Sequence, residues 1–376
     1  MKKVTRRAAG GAASPVRRMG RGRGDELHLC GRPGAFYIAR QRRAPPAGVQ
    51  HSPNESAVMN SRPNPLIATQ RLASPAPPPA PLAARPRDVG RFAETPAVRR
   101  LRLLFAVLNR TAPGAAARLA YALLTRPPRV AERPWQRALR ASARHGTVRS
   151  GRARVAWYEW GEGPTVLLVH GWGARGTQFG RMVPALVAAG YRVRAFDAPG
   201  HGESGGRSTT LPEFAAAVAA VAADAGPVDT LIAHSFGVAM ALWAQSDWGL
   251  QVRRQVLFSS LDHCLWVTEE FARLVGLPPA VIERGRQLMV MRSGGRMDWT
   301  SLSVADWLRA SDAPTLLLHD AGDPEVPIQH FFTLMKAAAG RPRPLELHVT
   351  EGLGHHRLLA DPGVIRRTLD FMHGPA

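Results

Sequence analysis

Residues 230–245 read TLIAHSFGVAMALWAQ, an apolar stretch with a single serine near its middle. Thr230–His234 has the apolar character of a buried strand, and Phe236–Gln245 has the apolar pattern of a helix. Ser235 stands between them with small residues, Ala233 and Gly237, two positions before and after it. A strand that turns directly into a helix needs such small neighbours. The stretch predicts a serine presented at the end of a strand, although an ordinary turn with a helix-capping serine has the same pattern.

The rest of residues 151–376 repeats this alternation of strand and helix. Strands are predicted at Arg154–Trp160, Thr165–His170, Tyr191–Asp197, Gln255–Ser259, Thr315–His319 and Leu345–Val349. Helices are predicted at Thr177–Ala189, Leu211–Ala225, Ile328–Ala339 and Pro362–Met372. The alternation indicates an α/β fold, a doubly wound and mostly parallel sheet covered by helices on both faces. Between residues 261 and 311 it is interrupted by a helical pattern too long for a loop, which predicts a helical lid insertion.

The net charge of +22 is concentrated in the N-terminal part of the chain. Residues 1–150 hold 29 Lys and Arg against 6 Asp and Glu, whereas residues 151–376 hold 21 against 22. Residues 1–95, which include the proline-rich run Pro75–Pro81, are predicted to be a disordered Pro/Arg/Ala-rich extension. Met59 is a candidate for the true start, which would leave residues 1–58 out of the native protein. Aromatic residues that could stack on bases are scarce in this extension, so no specific nucleic-acid partner is expected.

Residues 96–150 are predicted to form a helical extension before the main domain. Within it, residues 98–126 indicate one or two helices with a break at Thr111-Ala112-Pro113. These helices either pack on the domain or lie on an anionic membrane surface as a basic amphipathic stretch. The apolar run between residues 101 and 124 is interrupted by Arg110 and Arg118, so no transmembrane segment is expected. Two distant cysteines and the lack of an apolar signal-peptide core favour a cytoplasmic protein.

A glycine-rich turn, His170-Gly171-Trp172-Gly173, follows the strand at Thr165–His170. Such a turn can direct backbone N–H groups at a developing oxyanion. A second interpretation is a dinucleotide fingerprint, Gly171-x-Gly173-x-x-Gly176, with Asp197 as the ribose-binding acid. Against it, Asp197 leads straight into a glycine-rich loop, residues 198–204, and the fingerprint explains nothing farther along the chain.

An acid and a histidine each follow one of the late strands. Asp320 and Asp323 come after Thr315–His319, and His355 and His356 come after Leu345–Val349 and a glycine turn. Parallel strands end at the same edge of a sheet, so these side chains are expected near Ser235. Serine, acid and histidine in this chain order are typical of a hydrolytic triad.

Five motifs together resemble the α/β-hydrolase fold family and its serine esterase branch. They are His170–Gly173, Phe196–Ser204, Ala233–Gly237, Gly322–Pro327 and Gly352–His355, in the family's order over residues 150–373. The resemblance implies Ser235 as nucleophile, His355 as base and Asp323 as its orienting acid. It further implies the backbone amides of Trp172 and Phe236 as oxyanion hole, and a supporting turn made of His170, Gly171, Gly173, Ala233, His234 and Gly237. Ala233 stands where the family usually has glycine.

The same resemblance favours Asp323 over Asp320, because the family's acid precedes a two-residue gap and Val326-Pro327. It favours His355 over His356, because His355 directly follows the glycine turn. We therefore expect a hydrolase that cleaves a carboxylic ester or thioester through an acyl-serine, acts on a small to medium apolar substrate and uses no cofactor or metal. His170, His201 and His234 lack metal-ligand spacing. The alternatives are an NAD(P)-dependent oxidoreductase and a non-catalytic binding protein of the same fold.

Overall fold

The computed structural model describes residues 95–341 and 343–374. The predictions made for residues 1–94, a disordered extension and a start at Met59, lie outside these residues. Within the described part of the chain, no helix is long and apolar enough to cross a bilayer.

Eight strands form one mixed sheet with the spatial order β1-β2-β4-β3-β5-β6-β7-β8. β1 and β2 pair antiparallel, β2 and β4 pair antiparallel, and all other neighbours are parallel. The strands are β1 Arg144–Ser150, β2 Ala153–Trp160, β3 Thr165–Val169, β4 Arg192–Phe196, β5 Val228–His234, β6 Val252–Phe258, β7 Thr315–Asp320 and β8 Leu345–Thr350. The doubly wound, mostly parallel sheet predicted from the sequence is confirmed.

Helices cover both faces of this sheet. They are α1 Pro96–Thr111, α2 Pro113–Thr125, α3 Pro134–Ala141, α4 Met182–Ala188, α5 Leu211–Ala225, α6 Phe236–Asp247, α7 Leu265–Val275, α8 Pro279–Arg292, α9 Val304–Ala310, α10 Gln329–Ala337, α11 Gly354–Arg357 and α12 Pro362–His373. One apolar core joins α5, α6 and α10 to the sheet, and a second joins α4 and α12 to the other face. Strands buried on both faces read as continuous apolar runs, which explains why they could be recognised from sequence.

The extension before the sheet is helical only as far as Ala141. The prediction of a helical extension over residues 96–150 is wrong at its end, because Arg144–Ser150 forms the edge strand β1. Among the described strands β1 pairs only with β2, and it carries polar, largely exposed residues, so it lacks the apolar alternation by which strands are recognised. The break predicted at Thr111-Ala112-Pro113 separates α1 from α2, and Pro113 begins the second helix.

The insertion between β6 and β7 is helical, with α7, α8 and α9 inside the range predicted for a lid. A third apolar cluster joins this insertion to the two helices of the extension. Its buried members from α1 and α2 are Phe105, Ala116, Ala117 and Ala120, and those from the insertion are Ala272, Val275, Leu277, Val281 and Ile282. α2 and α8 are in contact at Ala117 and Gly285: a Cβ on Gly285 of α8 would lie 3.7 Å from the carbonyl oxygen of Ala117 in α2. We call the helices α1 and α2 together with the insertion between β6 and β7 the cap; it therefore consists of two separate stretches of the chain.

Candidate active site

Ser235 occupies the sharp turn between β5 and α6. Its φ of 55° and ψ of −129° are unusual for a residue with a side chain. Its backbone N–H donates to the Phe258 carbonyl oxygen at 2.8 Å, which fixes the turn to the neighbouring strand. A Cβ on Gly237 would lie 2.4 Å from the carbonyl oxygen of His170, so only glycine fits there. The strained turn holds the serine between the ends of β3 and β6, and strain of this kind is typical of functional sites.

His355 lies at the start of α11 and is 4% exposed. Its Nδ1 is 2.7 Å from Oδ2 of Asp323, in the loop after β7. The other oxygen of Asp323 accepts hydrogen bonds from the backbone N–H groups of Glu325 at 2.8 Å and Val326 at 2.9 Å. Burial alone would raise the pKa of Asp323, but these donors, His355 foremost, lower it to about 2. The carboxylate is therefore ionised and holds the ring through Nδ1.

The two competing residues, Asp320 and His356, have other partners. Oδ2 of Asp320 accepts from the Leu353 N–H at 2.9 Å and from the Thr350 hydroxyl at 2.8 Å, so this acid ties β7 to the loop after β8. His356 is largely exposed, and its Nε2 is 3.0 Å from Oε1 of Glu325. The structure brings Asp323 and His355 together, and it brings neither Asp320 nor His356 into that pair.

His234 connects the serine turn to the histidine. Its Nε2 is 2.8 Å from the carbonyl oxygen of His355, and the two rings are 4.5 Å apart between centroids. Burial lowers the pKa of His234 well below its usual range, so its ring is neutral.

Among the described residues the Ser235 hydroxyl makes no hydrogen bond to His355. In this arrangement Nε2 of His355 faces the carboxylate of Glu325, 3.7 Å away.

The turn after β3 lies against the serine, because a Cβ on Gly171 would be 3.1 Å from the Cβ of Ser235. His170 holds this turn with Nδ1 2.7 Å from the Gly171 carbonyl oxygen, while its Nε2 accepts from the Ala198 N–H at 2.9 Å. Gly173 donates its N–H to Nε2 of His201 at 3.1 Å. Burial lowers the pKa of His170 to about 4 and that of His201 to about 3. Both rings are therefore neutral supports of the turn.

The backbone N–H groups of Trp172 and Phe236 stand on the two turns that meet at Ser235. Neither donates to a protein acceptor among the described residues. The two side chains pack edge to face with their ring centroids 5.6 Å apart. Two N–H groups left without acceptors next to a serine are suited to receive a negatively charged oxygen.

The structure does not support the dinucleotide interpretation. Asp197 is 1% exposed, and its carboxylate accepts from the Gly176 N–H at 2.8 Å, the Glu203 N–H at 2.8 Å and the Tyr158 hydroxyl at 2.5 Å. Burial and this carboxylate raise the pKa of Tyr158. A fully bonded acid beneath the surface cannot hold a ribose, and Gly171 and Gly173 face the serine turn and Pro128.

Three histidines stand close together at the serine turn. His234, His355 and His356 have ring nitrogens within 4.8 Å of one another. However, His234 bonds the backbone through Nε2, His355 bonds Asp323 through Nδ1, and His356 bonds Glu325. Nδ1 of His234 has no hydrogen-bond partner among the described residues, but Nε2 of both His355 and His356 faces the carboxylate of Glu325, so the group fits a hydrogen-bonded network better than a metal site.

A cavity of about 390 Å³, the cavity above Ser235, is lined by Trp172 and Phe236 from the two turns at that serine, although Ser235 itself is not part of the lining. Five residues of its lining come from the sheet side: Trp172, Leu211, Phe236, Pro324 and Glu325. The insertion contributes Cys264, Trp266, Val267, Thr268, Glu270, Phe271, Leu274, Met289 and Trp299. Leu123 and Leu124 of α2 complete it. Sequence reasoning missed Leu123, Leu124 and Glu325, because no local pattern says which long-range contacts a helix or a loop side chain will make.

The sequence profile of the Alpha/beta hydrolase family matches residues 166–368, more than half of the chain. A non-heme haloperoxidase from Rhodococcus erythropolis is 26% identical over 257 residues, which cover 55% of this chain and 90% of the relative. A pimeloyl-[acyl-carrier protein] methyl ester esterase from Aeromonas hydrophila is 45% identical over 70 residues, 18% of this chain and 27% of the relative. Among solved structures, an esterase from Pyrococcus furiosus has a TM-score of 0.51 at 19% identity and covers 66% of this chain and 96% of its own.

Proposed function

The chain belongs to the Alpha/beta hydrolase family, and from that premise we propose that it cleaves carboxylic esters or thioesters through a Ser235-His355-Asp323 triad. The observation that carries the proposal is the 2.7 Å contact between His355 Nδ1 and Asp323, beside a serine held at positive φ. A buried carboxylate bonded to one nitrogen of an imidazole leaves the other nitrogen as a base. That relationship is what an activated serine requires.

The reaction begins when Nε2 of His355 takes the proton of Ser235 as the hydroxyl oxygen attacks the substrate carbonyl. Asp323 keeps Nδ1 protonated and stabilises the imidazolium that forms. The carbon–oxygen or carbon–sulfur bond to the leaving group then breaks, and the imidazolium gives its proton to that group. Water attacks the acyl-serine with His355 again as base, which releases the acid and restores the serine.

Nε2 of His355 must first turn from Glu325 to Ser235. The hydrogen bonds of catalytic groups are often long or misaligned without substrate and tighten when it binds. The contact between Nε2 and Glu325 is 3.7 Å, longer than a hydrogen bond, and Glu325 has His356 as a closer partner. Turning the ring away from Glu325 therefore breaks no hydrogen bond between the two side chains.

The negative charge that develops on the carbonyl oxygen is received by the N–H groups of Trp172 and Phe236. Support comes from their lack of protein acceptors and from the rigid turns that carry them. Loss of one such donor costs about 3 to 4 kcal/mol of transition-state stabilisation in comparable sites.

The substrate's acyl group is small to medium in size and apolar. The cavity volume of about 390 Å³ lies near the lower end of the usual range for ligand pockets. Aromatic, leucine and methionine side chains make up most of its lining. A substrate of this kind matches the lining by burying apolar surface.

Labelling with a fluorophosphonate, followed by peptide mass spectrometry, tests the nucleophile without knowledge of the natural substrate. Modification is expected on Ser235 and abolished in Ser235→Ala. Ser259→Ala is the matched control, because Ser259 also has a positive φ but is fully buried. A series of p-nitrophenyl esters then gives the acyl length. Absence of labelling in the wild type together with absence of ester turnover would favour a non-catalytic binding protein.

We also propose that residues 98–126 make a peripheral contact with an anionic lipid surface. Between residues 96 and 131 the chain has seven arginines and no acidic residue. On α1, Leu103 is 69% exposed and Val107 is 60% exposed, beside Arg100. Sedimentation with phosphatidylglycerol vesicles should weaken in the Leu103→Glu/Val107→Glu variant, because exposed apolar and basic side chains act together at such surfaces. Equal sedimentation of both proteins would contradict this contact.

A further inference from the structure

A second cavity, of about 440 Å³, is lined by Arg126, Pro127, Arg129 and Arg207. All three arginines are exposed, and none takes part in an ion pair among residues 95–341 and 343–374. Arg129 donates one hydrogen bond, to the Gly206 carbonyl oxygen at 3.1 Å. The cavity thus holds three positive charges that no carboxylate of the described chain balances.

Two chain segments contribute to both cavities. Leu124 lines the cavity above Ser235, and Arg126, two residues later, lines the arginine cavity. Arg207 lines the arginine cavity, and Leu211 lines the cavity above Ser235. The segments are joined by a hydrogen bond from the Thr209 N–H to the Thr125 carbonyl oxygen at 2.8 Å. Two residues span at most about 7 Å, so in each segment the backbone positions that serve the two cavities lie close together.

We infer that Arg126, Arg129 and Arg207 bind a phosphate group of the substrate whose acyl chain enters the apolar cavity. The inference rests on the proposed hydrolase function and names its substrate class, an acyl ester or thioester whose alcohol or thiol part is phosphorylated. Guanidinium groups match phosphate oxygens in charge and in the geometry of their paired donors. The described lining of the apolar cavity includes no basic residue, and its two carboxylates, Glu270 and Glu325, are paired with Arg273 and His356, so the arginine cavity is the better place for an anion.

The test compares two thioesters that share an acyl group. Butyryl-coenzyme A carries phosphates, whereas S-butyryl-N-acetylcysteamine has the same thioester without them. Arg126→Gln and Arg207→Gln are each expected to lower kcat/KM for butyryl-coenzyme A about tenfold, mainly through KM, since each removes charged hydrogen bonds to phosphate. The N-acetylcysteamine thioester should be cleaved at an unchanged rate. Arg366→Gln is the matched control, an exposed arginine on α12 outside both cavities.

If the wild type cleaves both thioesters and the arginine variants change neither rate, the phosphate site is refuted and the hydrolase proposal stands. If the wild type cleaves neither thioester, the result contradicts the proposed hydrolase function and leaves the phosphate site to be decided by binding. In that case binding of coenzyme A, measured by calorimetry, decides the phosphate site: about tenfold weaker binding in Arg126→Gln supports it, and equal binding refutes it.

A lipid headgroup offers the same phosphate chemistry as a soluble phosphorylated thioester, so a separate measurement is needed to tell which of the two supplies the bound phosphate. Sedimentation with phosphatidylglycerol vesicles is compared with coenzyme A binding in the wild type and in Arg207→Gln, because Arg207 lines the arginine cavity but lies outside residues 98–126. Weaker coenzyme A binding in the variant assigns the site to a soluble phosphorylated substrate. Weaker vesicle binding alone assigns it to a lipid headgroup, and no change in either measurement overturns the site.

Discussion

Replacing Asp323 by Asn removes a charge whose contribution to stability follows from its pKa. The pKa of this carboxyl falls from 3.8 to about 2 in the folded protein. One unit corresponds to about 1.36 kcal/mol, so the ionised carboxylate stabilises the fold by about 2 kcal/mol at neutral pH. Because the folded pKa is the lower one, this contribution is present above pH 3.8 and is lost as the pH falls through about 2. His355, Glu325 and Val326 are the partners that supply it.

Asp323→Asn should therefore unfold about 2 kcal/mol more easily than the wild type in urea at pH 7, and the difference should shrink to about half at pH 3. A difference that is the same at both pH values would refute the account, since it would come from packing. The catalytic consequence is larger. An asparagine cannot hold His355 in the required tautomer, so kcat for a p-nitrophenyl ester should fall on the order of 10³- to 10⁴-fold. A decrease below about tenfold would contradict the role proposed for Asp323.

Three further substitutions test the serine turn, the contact between Glu325 and His356, and the cap. Gly237→Ala brings a Cβ within 2.4 Å of a backbone oxygen, so the free energy of unfolding in urea should fall by about 1 to 3 kcal/mol; an unchanged midpoint would contradict the close packing. Glu325→Gln should return the raised pKa of His356 toward 6.5 in an NMR titration, because the hydrogen bond to Glu325 is the main cause of that rise. Any stabilisation from this pair is present below pH 6.5 and is lost as the pH rises through the pKa that His356 has in the folded protein. Leu124→Trp fills part of the cavity and should move the preference among p-nitrophenyl esters to shorter acyl groups without reducing fluorophosphonate labelling; an unchanged preference would exclude α2 from the substrate pocket.

The strand, turn and helix around Ser235 were predictable because their causes are local. Buried strands such as Thr165–Val169 are largely apolar, and the small residue at Gly237 is required by the turn itself. The strand Arg144–Ser150 was missed because it lies at the edge of the sheet, where the core does not impose an apolar pattern. The position of Glu325 along the chain was part of a recognised motif. The direction of its side chain, toward His356, depends on the position of α11, about thirty residues farther along the chain, and no local sequence pattern indicates it.

The cap was predicted only in part, and the missing part bears on what shapes the cavity above Ser235. Its apolar cluster joins α1 and α2 to α7 and α8, and none of its buried members belongs to the two cores that flank the sheet. Phe105 of α1 contacts Phe271 of α7 edge to face, with ring centroids 6.4 Å apart. Phe271 itself lines the cavity above Ser235. A change in the extension can therefore reshape the cavity above Ser235 through Phe271 while the serine turn, which is held by the sheet core, stays in place.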